Sequence, residues 1–252
     1  MGDLTTEQQI DFRNQFRRGR AIAYKDAENF HELLYALERL GLVLTGPKTG
    51  LTGYGDALKR LAASSALACE IPDENRAYHS PFDTLFSEIV SARNDAMHEG
   101  AFARHLATNV SRLALMIEDA LMVGNSKVTE FMVRDPLGAR GWQPVSFVRQ
   151  KMLENSFSFL PIYIENRGWH FISEYSIAKF LRNTSQKRRD LLATRVEDAI
   201  ASGDLKVEIA KTCEPATSVD EAARILENAP LLVVVSESDA QLLGIITAFD
   251  IM

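Results

Sequence analysis

Apolar positions up to about Asn125 recur at spacings of three and four, the signature of amphipathic helices. The run TEQQIDFRNQFRRGRAIAYKDAENFHELLYALERLG keeps that period, with Gly41 and Gly46 available as stops. DALKRLAASSALACE, FDTLFSEIVSARNDAM and the long FARHLATNVSRLALMIEDALM do the same. These segments predict an all-α bundle of four or five helices joined by short connections, spanning residues 1–124.

From residue 125 to 252 the texture changes to strands alternating with helices, and the order runs through twice. PVSFVRQKMLENS reads as a helix, FSFLPIYIEN as a strand, and GWHFISEYSIAKFLR as a strand running into a helix. TSVDEAARILENA, PLLVVVSES and QLLGIITAFDIM repeat that order, and Leu160-Pro161-Ile162 falls beside Pro230-Leu231-Leu232. The first copy covers about 125–184 and the second about 205–252, with SQKRRDLLATRVEDAIASGD as a charged helical connector over about 185–204. The predicted fold class is therefore α plus α/β.

Composition narrows the class without changing that division. The chain has 252 residues, 46% apolar and 25% charged, which excludes a disordered, collagenous or fibrous protein and allows one or two domains with cores of their own. Net charge is −6, and acidic residues outnumber basic ones in both halves, so a nucleic-acid partner must be held by local patches. Cys69 and Cys213 form no CxxC pattern and read as buried small hydrophobes in a reducing compartment. The N-terminus lacks the apolar core of a signal peptide and no long apolar window occurs, so a cytoplasmic location without membrane contact is expected. Thr45-Gly46-Pro47-Lys48-Thr49-Gly50 has Pro47 where a phosphate loop needs glycine and reads as a connector. His98 and His105 have no second pair of ligands, and no GxSxG occurs, so neither a metal site nor a serine nucleophile is expected.

Gly244-Ile245-Ile246-Thr247-Ala248-Phe249-Asp250, the upstream Thr217-Ser218-Val219-Asp220-Glu221-Ala222 and the strand Leu232 to Val235 resemble the second repeat of a CBS domain pair. The resemblance implies a tandem β-α-β-β-α fold that binds an adenine nucleotide, ATP, ADP or AMP, as a regulatory ligand. It places phosphate on Thr247, ribose on Asp250, and the adenine between Thr217 and the backbone of Leu232 and Val233. The chemistry suits those roles, because a hydroxyl at a strand-to-helix junction joins backbone N–H groups around phosphate, and a carboxylate three residues on accepts from ribose hydroxyls. Gly244 is expected to allow close approach at the strand start. In the first copy Ser173 keeps the hydroxyl, but Ser176 stands where the carboxylate would be, so one competent site per chain is expected.

Ser91-Ala92-Arg93-Asn94-Asp95-Ala96-Met97-His98-Glu99-Gly100 closes one amphipathic segment of the helical half. At 3.6 residues per turn, Phe86, Ile89, Val90 and Met97 fall within about 60° of Arg93, which puts a guanidinium in the apolar stripe. Asn94 and His98 lie within about 40° of each other on its edge. Such an Arg needs a carboxylate, a carbonyl or an anion, and Glu88 and Asp119 are the nearby candidates for a purely structural pair, with His98 merely capping the helix end.

The Arg-Asn-x-x-x-His spacing resembles the motif of HEPN-family ribonucleases. That resemblance implies a homodimeric helical domain that cuts RNA without metal, with Arg93, Asn94 and His98 as its catalytic residues. An imidazole moves the proton and a fixed cation stabilises the phosphorane, as transesterification by the RNA 2′-hydroxyl requires. Arg13, Arg17 and Arg20 recur at i, i+4 and i+7 and form a basic ridge that either tracks RNA or is simply solvated. The combined expectation is a toxin-like or defensive endoribonuclease regulated by adenine nucleotide. The alternatives are a non-catalytic RNA-binding or scaffold protein with a nucleotide-sensing, dimerising CBS pair, and an inhibitor of a separate protein partner.

Overall fold

The structure is a computed structural model that describes residues 4–69, 79–95, 100–182, 185–227, 229–234 and 241–252, with side chains excepted at 92–95, 100–103 and 185–186. The chain divides into two units between Asn125 and Ser126.

Helices α1 (Thr6–Lys25), α2 (His31–Thr45), α3 (Gly55–Ala62), α4 (Ala66–Cys69), α5 (Phe82–Asp95) and α6 (Gly100–Met122) form the first unit, with 3-10 turns at Ala27–Phe30 and Leu51–Tyr54. Helix α1 begins in a reciprocal cap, in which the Thr5 hydroxyl accepts from the Gln8 N–H and the Gln8 side chain accepts from the Thr5 N–H. Its apolar stripe, Phe12, Phe16 and Ala23, joins Leu33, Leu37 and Leu40 of α2 and Leu106, Val110, Leu113 and Ile117 of α6 in one core. Gly41 does not stop α2 as its residue type suggests. A side chain there would collide with the Tyr54 ring, so this glycine admits a close crossing, and the helix continues to Thr45 before Gly46 turns it at φ 76°. The predicted helix at 56–70 is broken into α3 and α4, and the Asp119 carboxylate of α6 accepts from Ser65 Oγ at 2.8 Å and the Ala66 N–H at 2.6 Å at the break.

The second unit contains α7 (Val128–Phe131), β1 (Val133–Arg134), α8 (Val145–Asn155), β2 (Phe159–Ile164), β3 (Gly168–Ser173) and α9 (Glu174–Phe180). It continues with α10 (Ser185–Ala193), α11 (Val196–Ala201), β4 (Glu208–Ile209), β5 (Thr212–Cys213), α12 (Val219–Ile225), β6 (Leu231–Val234), β7 (Leu242–Ile246) and α13 (Ala248–Ile251). One sheet has the order β1-β7-β6-β5 and the other β2-β3-β4. The first strand of each copy therefore lies in the sheet of the other: Val133 pairs with Ile245, and His170 pairs with Ile209.

The duplication is also written in backbone hydrogen bonds. The Val128 N–H donates to the Thr217 carbonyl and the Val219 N–H to the Ser126 carbonyl. At matching places the Val196 N–H donates to the Gln143 carbonyl and the Val145 N–H to the Thr194 carbonyl. An offset of 74 residues relates 143–145 to 217–219 and Ala139 to Cys213, and Ala139 bridges Ile162 as Cys213 pairs with Val233. Ile162 thus corresponds to Val233, one residue beyond the Leu232 that direct sequence alignment selects. Register decides which face a side chain takes, so the slip matters. Val233 lies in the core under α12 and α13, whereas Leu232 joins Phe171, Ala210 and Val234 in a separate core cluster that links the two sheets.

Candidate functional site

The two copies present equivalent strand-to-helix junctions with different chemistry. In the second copy Thr247 precedes α13. Its hydroxyl donates to Asp250 Oδ2 at 2.8 Å, and its backbone N–H donates to the same oxygen at 2.8 Å. Both residues are half-buried, and Ile251 anchors the short helix on the core that holds Ile225 and Val233. In the first copy Ser173 Oγ accepts from the Ser176 N–H at 3.3 Å, and Ser176 Oγ donates to the Ser173 carbonyl at 2.8 Å. That serine pair is buried and neutral, whereas the threonine and aspartate pair carries a charge that solvent reaches.

A cleft of about 430 Å³ opens beside β5 and α12, lined by Thr212, Cys213, Glu214, Thr217, Glu221 and Val234 among others. Thr217 occupies the turn before α12. Its N–H donates to the Glu214 carbonyl, its carbonyl accepts from Val128, and its side chain lowers the Cys213 thiol's rise. Burial pushes the Cys213 thiol up to about 11, with the neighbouring Glu221 carboxylate adding to the rise and the Thr217 side chain opposing it, so the sulfur is a neutral wall of the cleft. Glu214 and Glu221 give this cleft a negative lining that suits a base and repels phosphate. Leu232 and Val233 are fully buried, so neither side chain lines a ligand and only their backbone is available to one.

Gly244 serves a role other than the expected one. It lies in the middle of β7, and a side chain there would collide with Met132 and press on the Val133 carbonyl, so it admits the exchanged strand β1 rather than a ligand. The carboxylates near the cleft and the Cys213 thiol were not singled out as binding groups by any local motif. The turn between β5 and α12, closed by the Thr217 N–H on the Glu214 carbonyl, brings them to one cleft, where β6 adds Val234.

In the helical unit the expected basic ridge faces inward. Arg13 is 2% exposed, and its guanidinium reaches Asn14 Oδ1 and the Met122 sulfur. Arg20 holds the buried Glu118 of α6 in a two-pronged pair at 2.5 and 2.8 Å, and Arg17 lies 3.6 Å from the same carboxylate. The face that carries Arg13, Arg17 and Arg20 also carries Phe16 and Gly19, and packing against α6 sets its direction.

The backbone of Arg93 and Asn94 lies in the last turn of α5, one turn beyond the fully buried Ile89, and His98 lies outside the described residues. The two carboxylates named as structural partners for Arg93 hold other groups. Glu88 accepts from Asn109 Nδ2 at 2.7 Å, and Asp119 caps α4. Asn109 is buried and also meets His105 Nε2 at 3.1 Å, forming a polar link between α5 and α6. Among the described residues no group of three His, Cys, Asp or Glu is placed to hold a metal ion, and no helix is long and apolar enough to cross a membrane.

Residues 203–252 match the CBS domain family. Among solved structures, the protein MJ1225 of Methanocaldococcus jannaschii is 21% identical with a TM-score of 0.41 over 50% of this chain, which spans 46% of that protein. CBSX2 in complex with AMP is 22% identical with a TM-score of 0.38, covering 50% of this chain and 92% of its own. CbpB in complex with c-di-AMP is 16% identical with a TM-score of 0.38, covering 50% and 81%. No curated protein matches the sequence.

Proposed function

We propose that the second unit is an adenine-nucleotide sensor and that it governs a metal-independent RNA-cleaving centre in the helical unit. The observation that carries the sensor is the contrast between junctions: Thr247 and Asp250 offer a hydroxyl and a partly exposed carboxylate where Ser173 and Ser176 are buried against each other. Asp250 accepts from the ribose hydroxyls in place of the Thr247 hydroxyl. Phosphate then lies on the Thr247 side, away from Glu214 and Glu221, and the base enters the cleft beside Thr217 and the β6 backbone.

Cleavage rests on Arg93, Asn94 and His98. In a two-fold dimer one His98 takes the proton of the 2′-hydroxyl, the oxygen attacks phosphorus, and the 5′-oxygen leaves with a proton from the other His98. The products are a 2′,3′-cyclic phosphate and a 5′-hydroxyl end. Arg93 stabilises the phosphorane and Asn94 orients it. Nucleotide acts by differential affinity, favouring one arrangement of the dimer and hence one spacing of the two catalytic helices. A chain that cuts RNA needs such a brake, which fits a growth-arresting or defensive role.

The test is cleavage of total cellular RNA in EDTA, with and without ATP, ADP and AMP, beside Arg93→Ala/His98→Ala. Nucleotide-sensitive cleavage that the double variant lacks, by a factor of about 100 or more, is expected. Intact RNA with nucleotide still bound favours a second reading, a non-catalytic scaffold. The engagement of Arg17 and Arg20 by Glu118 is the observation on its side.

A further inference from the structure

We propose that the surface formed by α9 and the first turns of α10 binds single-stranded RNA through its phosphates, with Tyr175 as a stacking platform. Residues 175–189 contain five basic and no acidic residues in a chain whose net charge is −6. Tyr175, Lys179 and Arg182 follow one another at i, i+4 and i+7, so the three share one face of α9 and its C-terminal turn. All three are exposed, and Tyr175, at 66%, holds the Lys179 ammonium 4.9 Å from its ring centre. Helix α10 returns to the same place, because Arg188 Nε donates to the Leu181 carbonyl at 3.2 Å at the end of α9. Lys187 and Arg189, both exposed, flank Arg188 on either side of that helix.

Several basic side chains elsewhere are neutralised by carboxylates. Arg17 and Arg20 have Glu118, Lys59 has Asp83, Lys151 has Glu154, and Lys211 has Glu227. Lys179, Arg182, Lys187 and Arg189 have no carboxylate among the described residues. Asp190 is the one acid of α10; it lies about 160° from Arg188 and about 60° from Lys187. Clustered like charges repel, so a surface that gathers Lys179, Arg182 and Arg189 without a counter-ion is suited to a polyanion. An exposed ring interleaved with the cations favours a strand whose bases are free to stack over an acidic peptide, which has no flat face to offer. The surface goes beyond the cleavage reading, since it requires only that RNA bind.

Fluorescence anisotropy of the full chain with a labelled single-stranded RNA, 2′-O-methylated throughout so that it cannot be cut by its own hydroxyl, separates binding from cleavage. Wild type is expected to bind with an affinity that falls steeply with salt. Lys179→Ser/Arg182→Ser/Arg189→Ser should flatten the slope of log K against log salt by about 2 and weaken binding at least tenfold, because each phosphate contact contributes about 0.7 to the slope. Tyr175→Ala should weaken binding about fivefold or more with the slope unchanged. Unaltered circular dichroism and melting keep folding out of the comparison, since all four positions are exposed. Absence of binding by wild type, or binding and slope unchanged in the triple variant, overturns the assignment. Equal affinity for heparin together with a silent Tyr175→Ala also overturns it, in favour of a general anion surface. Loss of cleavage with binding intact removes the nuclease reading alone.

Discussion

The two copies of the strand-rich unit share a backbone and differ in what they do with it. Val128, Val196, Val145 and Val219 make matching backbone hydrogen bonds, and Ile162 and Val233 hold matching core positions. At the junction that follows, one copy buries two serines and the other presents threonine and aspartate. Two substitutions on a common frame separate a closed junction from a candidate site. The frame is thus a matter of apolar packing, and the chemistry is a local choice placed on it.

The largest effect tests the shared frame. Phe171 is fully buried between the sheets, edge-on to Phe159, and Phe171→Ala should cost about 3–5 kcal/mol in urea denaturation. Its counterpart Ile245 is only partly buried, and Ile245→Ala should cost less, about 2 kcal/mol. Equal losses at both positions would show that the copies are packed more alike than their burial indicates.

The next effect tests the divergence. Asp250→Ala should weaken adenine-nucleotide binding about tenfold to a hundredfold by calorimetry, the worth of hydrogen bonds to a charged group. Ser176→Ala should leave that affinity unchanged and cost about 1 kcal/mol of stability, since only an internal bond is lost. A nucleotide effect at Ser176 would break the contrast outright.

The smallest effect concerns the cleft wall. The Cys213 thiol is raised from 9.0 to about 11, so its contribution to stability is complete below about pH 9 and is lost as pH rises through about 11. At neutral pH the exposed Cys69 should react first with a thiol reagent and Cys213 slowly, and AMP should slow Cys213 further without touching Cys69. Identical rates with and without nucleotide would place the ligand elsewhere.

Much of this organisation was legible because periodicity reports directly on burial. The stripes of α1, α2 and α6 and the buried run of β6 are written in neighbouring residues. What stayed hidden depends on distant partners. Nothing near Arg20 announces Glu118, 98 positions away, and nothing near Gly244 announces Met132. The exchanged strands β1 and β4 are two residues each, too short to carry an alternating pattern, and the register of β2 against β6 was one residue off because side-chain type alone set the alignment. At the junction, the residue types at Thr247 and Asp250 were readable, but that they hydrogen-bond each other was not.

The exchange of β1 also bears on how the chain is made. Val133 finds its place only beside Ile245, 112 residues later, so a ribosome must finish nearly the whole second copy before the first is closed. Until then Gly244 and its strand are absent and Met132 has no wall to pack on. An edge left unpaired for that long stays exposed throughout synthesis, the cost of a fold in which an early strand is paired by a late one.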